Sequence, residues 1–179
     1  MRFLEIRRHS LRDRPSEHLS PEGIALAREV GRACGPFDRA YSSPHPRALE
    51  TLREMGGPTP TVLEEWADLG DAVSREIDWP APFSRYAVLL GRDSAVARKG
   101  RQLIEAVEGI VRELPEEGTG VLVTHGGFPE IVSVTLFPEE DHRGWGGPIR
   151  CLEGARIAFR AGRPDAVTVR RLPASATRL

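Results

Sequence analysis

Three short stretches of this 179-residue chain hold residue types that could act together on an anion. They are Arg7-Arg8-His9, Ser42-Ser43-Pro44-His45-Pro46-Arg47 and Thr124-His125-Gly126-Gly127. Arginine presents a planar fork of N–H donors that matches phosphoryl oxygens, and Arg8 and Arg47 supply two such forks. Gly126 and Gly127 leave backbone N–H groups open near a helix start, where the dipole end is positive. A neutral imidazole in such a pocket can attack phosphorus and carry the phosphoryl group covalently. Cations around it would stabilise charge on the transferring oxygens, and a nearby carboxylic acid could protonate the leaving oxygen. His9 and His125 are the imidazoles available. The scheme requires no metal or other cofactor, and neither HxxxH nor HExxH spacing occurs.

These stretches need a scaffold that brings them together, and the hydrophobic pattern supplies one. Phe3 to Ile6 reads as a short strand running into a charged loop, Arg7 to Leu19. Ser20-Pro21 is an N-cap followed by proline at the first helical position. Ile24, Ala27, Val30 and Cys34 then follow at helical spacing, so residues 21–34 form a helix that Gly35-Pro36 stops. Arg39 to Ser42 is a second strand. Ser43-Pro44 repeats the cap signal before a helix through Ala48, Leu52 and Met55, and Thr61 to Leu63 is a third, weaker strand. Residues 64–80 have no clean period and read as a functional loop. Residues 83–90 and Val96 to Leu114 are helical, with Leu103, Val107, Ile110 and Leu114 on one face. Gly120 to Thr124 is the clearest buried strand, followed by a helix from Pro129 to Phe137. Strands near 150–160 and 165–172 close a hairpin over Ala161-Gly162-Arg163-Pro164.

Alternating strands and helices predict an α/β fold: a three-layer α/β/α sandwich around a mostly parallel sheet, in one domain with an insertion loop at about 64–95. Ligands of such sheets bind beyond the carboxyl ends of the strands. All three chemistry-bearing stretches fall there.

Composition narrows the partners. Lys+Arg is 25 against Asp+Glu 26, a net charge of -1, which argues against nucleic-acid coating. No apolar run is long enough to span a bilayer, and the first residues are too short an apolar stretch for a signal peptide, so a cytoplasmic location and no membrane partner are expected. Cys34 and Cys151 lack metal-ligand spacing and read as small buried thiols. Lys99 is the only lysine, Gln102 the only glutamine, and asparagine is absent, a balance that fits a thermophile or a GC-rich genome. The hairpin edge near 150–172 could pair in a homodimer. Trp66, Trp79 and Phe83 are candidates for a substrate mouth or for core packing. Arg170, Arg171 and Arg178 read as a solvated edge.

The residues carry a resemblance. Ile6-Arg7-Arg8-His9-Ser10 is similar to the strand-Arg-His-Gly opening of the histidine phosphatase superfamily, in its phosphoglycerate mutase-like branch. Leu19-Ser20-Pro21-Glu22-Gly23 resembles its Leu-Thr-x-x-Gly. Ser42 to Thr51 resembles its Ser-Ser-Pro-x-x-Arg-Ala-x-x-Thr, and Val121 to Gly127 its strand-Thr/Ser-His-Gly-Gly. Four motifs in the family's order, over residues 2–130, make a specific match. The resemblance implies a phosphoglycerate mutase-like fold, His9 as the phosphorylated nucleophile, Arg8 and Arg47 on the phosphoryl oxygens, and His125 and Gly126 beside them. It implies a proton donor in Leu63-Glu64-Glu65, with Glu65 favoured and Glu64 and Asp68 as competitors. Gly91-Arg92-Asp93-Ser94 followed by Arg101 resembles a Gly-Glu-Ser…Arg segment.

The chain departs from the pattern at Ser10, which replaces a glycine and either crowds the pocket or donates to phosphate. It also lacks the family's asparagine, whose oxygens Arg12 or Arg14 could cover. His18 and His45 are additional histidines near the mouth. The reading is therefore a metal-independent phosphomonoester phosphatase that acts through phosphohistidine on a small phosphorylated metabolite. Alternatives are a phosphoglycerate mutase, a protein-phosphohistidine phosphatase and a non-catalytic phosphate-binding module.

Overall fold

Within Thr119–Thr124 the side chains alternate between two apolar layers. Val121 and Val123 join one core cluster and Leu122 the other, all fully buried. A strand buried on both faces belongs at the centre of a covered sheet. The computed structural model, which describes residues 1–173, places it there; Arg178 lies outside the described residues. The elements are β1 (Arg2–Arg8), α1 (Pro21–Cys34), β2 (Arg39–Ser42), α2 (Pro46–Glu54), β3 (Thr61–Val62), α3 (Asp71–Ile77), α4 (Phe83–Leu90), α5 (Ala95–Glu113), β4 (Thr119–Thr124), α6 (Phe128–Leu136), β5 (Gly154–Arg160) and β6 (Arg163–Arg170).

The strand order is β3-β2-β4-β1-β5-β6. The first four strands of the chain run parallel, and β5 and β6 add an antiparallel hairpin at one edge. Leu26, Ala27 and Val30 of α1 and Ala48 and Leu52 of α2 pack on one face of the sheet. Buried side chains of α3, α4, α5 and α6 pack on the other. The fold is thus the expected layered α/β arrangement. Because β4 lies between β2 and β1, the carboxyl ends of three strands meet: Arg8 pairs with Thr124, and Ser42 with Val123.

Three expectations change. The helix after β2 starts at Pro46 rather than at Ser43-Pro44, because Ser43 still extends the sheet through its N–H to Val123 O at 3.0 Å. Residues 64–80 are not a structureless loop. They hold a 3-10 turn at Glu64–Trp66 and the helix α3, anchored by buried Trp66, Val73 and Ile77. The Glu76 carboxylate accepts from the Ala95 and Val96 N–H groups and so helps to cap α5. Finally, Arg171 is not simply a solvated edge. It donates to the carbonyls of Trp145, Gly147 and Pro148 and pairs with the buried Glu153. That clamp pins the loop leading to Arg150. Among the described residues, no helix is long and apolar enough to cross a membrane.

Two charges lie inside the α1 side of β1. Glu5 and Arg7 are 1% and 2% exposed and are paired at 2.8 Å. Arg7 also donates to Leu152 O at 2.7 Å and contacts Cys34 Sγ at 3.1 Å. Arg156 reaches the other Glu5 oxygen at 3.1 Å. Leu152 is a buried leucine with φ +59, a conformation that costs a non-glycine residue energy. Arg7 holds its carbonyl, while its N–H returns to Arg8 O at 3.0 Å.

Candidate active site

The strand ends put His9, Arg8, Arg47 and His125 around one space. The His9 and His125 ring centroids are 5.3 Å apart. The His9 N–H extends the sheet to Thr124 O at 2.8 Å, which fixes the backbone of the first histidine against the strand of the second. Thr51 ties in α2: its Oγ1 accepts from the Ser10 N–H at 2.9 Å and donates to Arg47 O at 2.6 Å. That chain of bonds gives the Arg47-to-Thr51 spacing a physical purpose, because it holds the arginine's turn of helix to the residue after His9.

Each histidine's tautomer follows from its partners. His9 Nδ1 lies 2.7 Å from Ser10 O. A carbonyl can only accept, so Nδ1 carries the proton and Nε2 keeps its lone pair. Arg47 Nη2 lies 3.3 Å from His125 Nδ1. An arginine can only donate, so Nδ1 of His125 is bare and Nε2–H donates to Ser43 Oγ at 2.8 Å. Both rings are held neutral. Burial lowers the His9 pKa to about 3, opposed by the bond to Ser10 O and reinforced by Arg8, Arg47 and Arg12. Burial also lowers His125, helped by His9 and Arg47.

A histidine whose folded pKa lies below its unfolded value supports the fold fully above the unfolded pKa of 6.5 and loses that support as pH falls. Urea melts at stepped pH should therefore show stability declining between about pH 6.5 and pH 3. The decline should be shallower in a His125→Gln protein. An unchanged slope would mean that His125 takes up its proton as readily in the fold as in the unfolded chain.

Two cavities flank His9. One, of about 440 Å³, is lined by Arg8, His9, Arg47, His125, Asp68 and Trp79 among others. A second, of about 600 Å³, shares Arg8, His9 and Arg47 and continues past Arg12, Arg14 and Arg150. Arg8 donates to Ile149 O at 3.1 Å, and its guanidinium lies 5.0 Å from the Trp79 ring. Glu130, completely buried, holds this corner together. One oxygen accepts from Gly127 N at 2.8 Å, the other from Ile149 N at 2.9 Å. Burial raises its pKa to about 6, against these N–H donors and Arg8. The two glycines after His125 are required by space. A Cβ on Gly126 would lie 2.9 Å from Trp79 Nε1, and Gly127 has φ +94 with Leu69 where a Cβ would go.

Arg8, His9, Arg47, His125 and Gly126 therefore come together as expected, but two other expected site residues do not join them. Ser10 is fully buried and spends its hydroxyl on Gly23 O at 2.7 Å, so it neither crowds the pocket nor faces a phosphate. Gly23 permits that approach, since a Cβ there would lie 2.0 Å from Leu11 O. Glu65 is exposed in its 3-10 turn and lines neither cavity, nor does Glu64; Asp68 is the acid on the wall. Of the aromatic candidates, Trp66 and Phe83 are core and Trp79, 44% exposed, lines the cavity. His45 also lines it, 4.9 Å from the His125 ring, whereas His18 contacts Glu50 instead. Ser94 caps α5 through Ala97 N. Glu17, Glu130 and Arg150 had no signal in a single sequence. Glu17 contacts Arg12 and Arg47, 5 and 30 residues away; Glu130 holds N–H groups 3 and 19 residues away; Arg150 pairs with Glu153, 3 away; none of these spacings is a recurring motif.

A layered sheet brings two arginines and two neutral imidazoles together at its strand ends, an arrangement suited to a phosphoryl group. The chain belongs to the histidine phosphatase superfamily (branch 1), which it matches over residues 7–171. Its fold is similar to that of Entamoeba histolytica phosphoserine phosphatase in complex with 3-phosphoglyceric acid, at 21% identity and TM-score 0.70, covering 96% of this chain and 98% of that one. It is similar to mycobacterial glucosyl-3-phosphoglycerate phosphatase in complex with VO3, at 21% identity and TM-score 0.64, covering 94% and 98%. It is also similar to phosphoglycerate mutase from Bacillus anthracis str. Sterne, at 17% identity and TM-score 0.63, covering 95% and 92%. Among curated protein sequences, none matches.

Proposed function

We propose that the protein is a phosphomonoester phosphatase working through phospho-His9. The observation that carries this reading is the His9 ring, fixed through Nδ1–H to Ser10 O with Nε2 bare, beside Arg8, Arg47 and His125. Nε2 attacks phosphorus, a P–N bond forms, and the P–O ester bond breaks. Arg8 and Arg47 stabilise the charge on the transferring oxygens. The Asp68 carboxyl gives its proton to the leaving oxygen. Asp68 then takes a proton from water as that water attacks phosphorus, and the P–N bond breaks to release phosphate and neutral His9. Asp68 and Trp79 are both exposed, which leaves the phosphohistidine accessible to water and favours hydrolysis over return of the group to substrate.

The test is phosphate release from a panel of phosphomonoesters. Phosphate should appear stoichiometrically with the free alcohol, and an isomerised phosphoester with no free phosphate would favour a mutase instead. The acid is tested separately. Asp68→Asn should lower kcat on an alkyl phosphate by about 10²–10⁴-fold, the range for a positioned general acid. It should lower kcat/KM far less on 4-nitrophenyl phosphate, whose leaving group needs no proton, because kcat/KM leaves out the later water step that Asp68 also serves. Glu65→Gln should leave both near wild type; the reverse pattern would return the role to Glu65.

A further inference from the structure

An acid of the chain's own already holds one of the arginines that face His9. Glu17, from the loop between β1 and α1, lays one carboxylate oxygen on Arg12 and the other on Arg47. The Arg47 nitrogen it takes, Nη1, belongs to the same fork as the Nη2 beside His125, and Arg47 lines both cavities at His9. A guanidinium N–H takes a carboxylate oxygen and a phosphoryl oxygen alike. The two anions therefore compete for one place.

The cations explain why an acid sits there. Burial, then the charges of Arg12 and Arg8, pull Arg47 below its ordinary range, and all three arginines act on His9 in the same sense. Like charges repel, so the cluster needs a counter-charge whenever no substrate supplies one. No other carboxylate pairs with Arg12 or Arg47 among the described residues.

The loop that carries Glu17 is fixed at its base and loose at its tip. Arg12 and Leu19 form an antiparallel bridge, and the Asp13 N–H donates to His18 O at 3.2 Å. The Leu19 N–H donates to the Glu50 carboxylate of α2 at 2.8 Å. Between these ties Asp13, Arg14, Pro15 and Glu17 are exposed, and the Glu17 side chain itself is 45% exposed. Lifting it off returns a carboxylate to water and strips no buried group of its partner.

We infer that Glu17 is an internal occupant of the phosphoryl position: it neutralises Arg12 and Arg47 in the empty site, yields them to the substrate's phosphoryl group, and returns as phosphate leaves. This rests on the phosphatase reading for the anion that arrives. While Glu17 is seated the molecule is not ready to bind, so the apparent affinity falls with the fraction that is ready. Its return also helps to expel the product.

The experiment compares calorimetric Kd values for inorganic phosphate at one pH and low ionic strength in wild type, Glu17→Gln and Glu116→Gln. Glu116 is exposed just before β4 begins, at the end of the sheet away from the site, and gives the same charge change there. Glu17→Gln should bind phosphate about fivefold or more tightly than wild type, the scale of one or two partly exposed ion pairs. Glu116→Gln should stay within about twofold, and the gain in Glu17→Gln should shrink with added salt. In phosphate-free buffer Glu17→Gln should melt no higher than wild type, and saturating phosphate should raise its Tm by more. An ion pair that only braces the loop gives a different pattern, lower stability with phosphate affinity unchanged or weaker, and that result would overturn the inference. An equal gain in Glu116→Gln, or a higher Tm for Glu17→Gln without phosphate, would overturn it too. Turnover is read separately: Glu17→Gln should lower KM and sharpen inhibition by phosphate. Tighter phosphate binding in Glu17→Gln without His9-dependent hydrolysis would keep the occupant and overturn the phosphatase reading. His9-dependent hydrolysis with unchanged phosphate affinity in Glu17→Gln would do the reverse.

Discussion

His9→Ala should abolish phosphate release from 4-nitrophenyl phosphate, lowering kcat by roughly four orders of magnitude or more, as loss of a covalent nucleophile does. The size of the effect follows from the ring's environment. Burial and three arginines hold the imidazole neutral far below its ordinary titration range, so nearly every molecule carries the attacking form at pH 7. The bond from Nδ1–H to Ser10 O selects the nitrogen that reacts. With an alanine there, His125 cannot substitute, because its Nδ1 accepts from Arg47 and its Nε2–H is given to Ser43. Quenching wild type during turnover should trap a protein-bound phosphoryl group that survives base and is lost in acid, with none in His9→Ala. Residual activity within tenfold of wild type, in a variant that melts as wild type does, would show that a water attacks directly.

What could be read from the chain alone was whatever is local. Helix α1 was legible to its residue bounds, because its cap, first-turn proline and stop all lie within or beside it. The two arginines and two histidines were legible because each directly follows a strand or starts a helix, and the crossover rule brings strand ends together. The surroundings of Ser10 and the place of Asp68 on the cavity wall were not. Whether the Ser10 hydroxyl faces a phosphate or Gly23 O depends on how closely α1 approaches the loop after β1, a distance set by Gly23 and by the packing of Leu26 and Val30 on the sheet. Residues 64–80 hid their acid for a similar reason. A three-residue turn and a seven-residue helix are too short to show a period, so nothing local tells which of Glu64, Glu65 and Asp68 lines the cavity beside His9. The second cavity was hidden in another way, since it draws on Arg12, Arg47 and Arg150, far apart in a chain where arginine is common.

Glu5→Ala should cost about 3–5 kcal/mol of stability in urea unfolding, the range for removing one partner of a buried ion pair. The cost depends on which arginine is stranded. Arg156 and Arg170 also face Glu5, but with side chains 24% and 42% exposed they can regain water. Arg7, with a side chain 3% exposed, cannot. Its remaining contacts are a carbonyl and a thiol, which accept hydrogen bonds without neutralising it. The damage should also reach the site, because Arg7 holds the Leu152 carbonyl and the Leu152 N–H holds Arg8 O. Phosphate affinity should fall along with stability. Replacing both partners separates the charge effect from the packing effect: Glu5→Leu with Arg7→Met removes two buried charges at similar volume and should cost less than Glu5→Ala alone. If the double variant were the less stable of the two, the pair would be contributing attraction beyond its desolvation. The two charges would then be holding β1 in place rather than being tolerated beneath it.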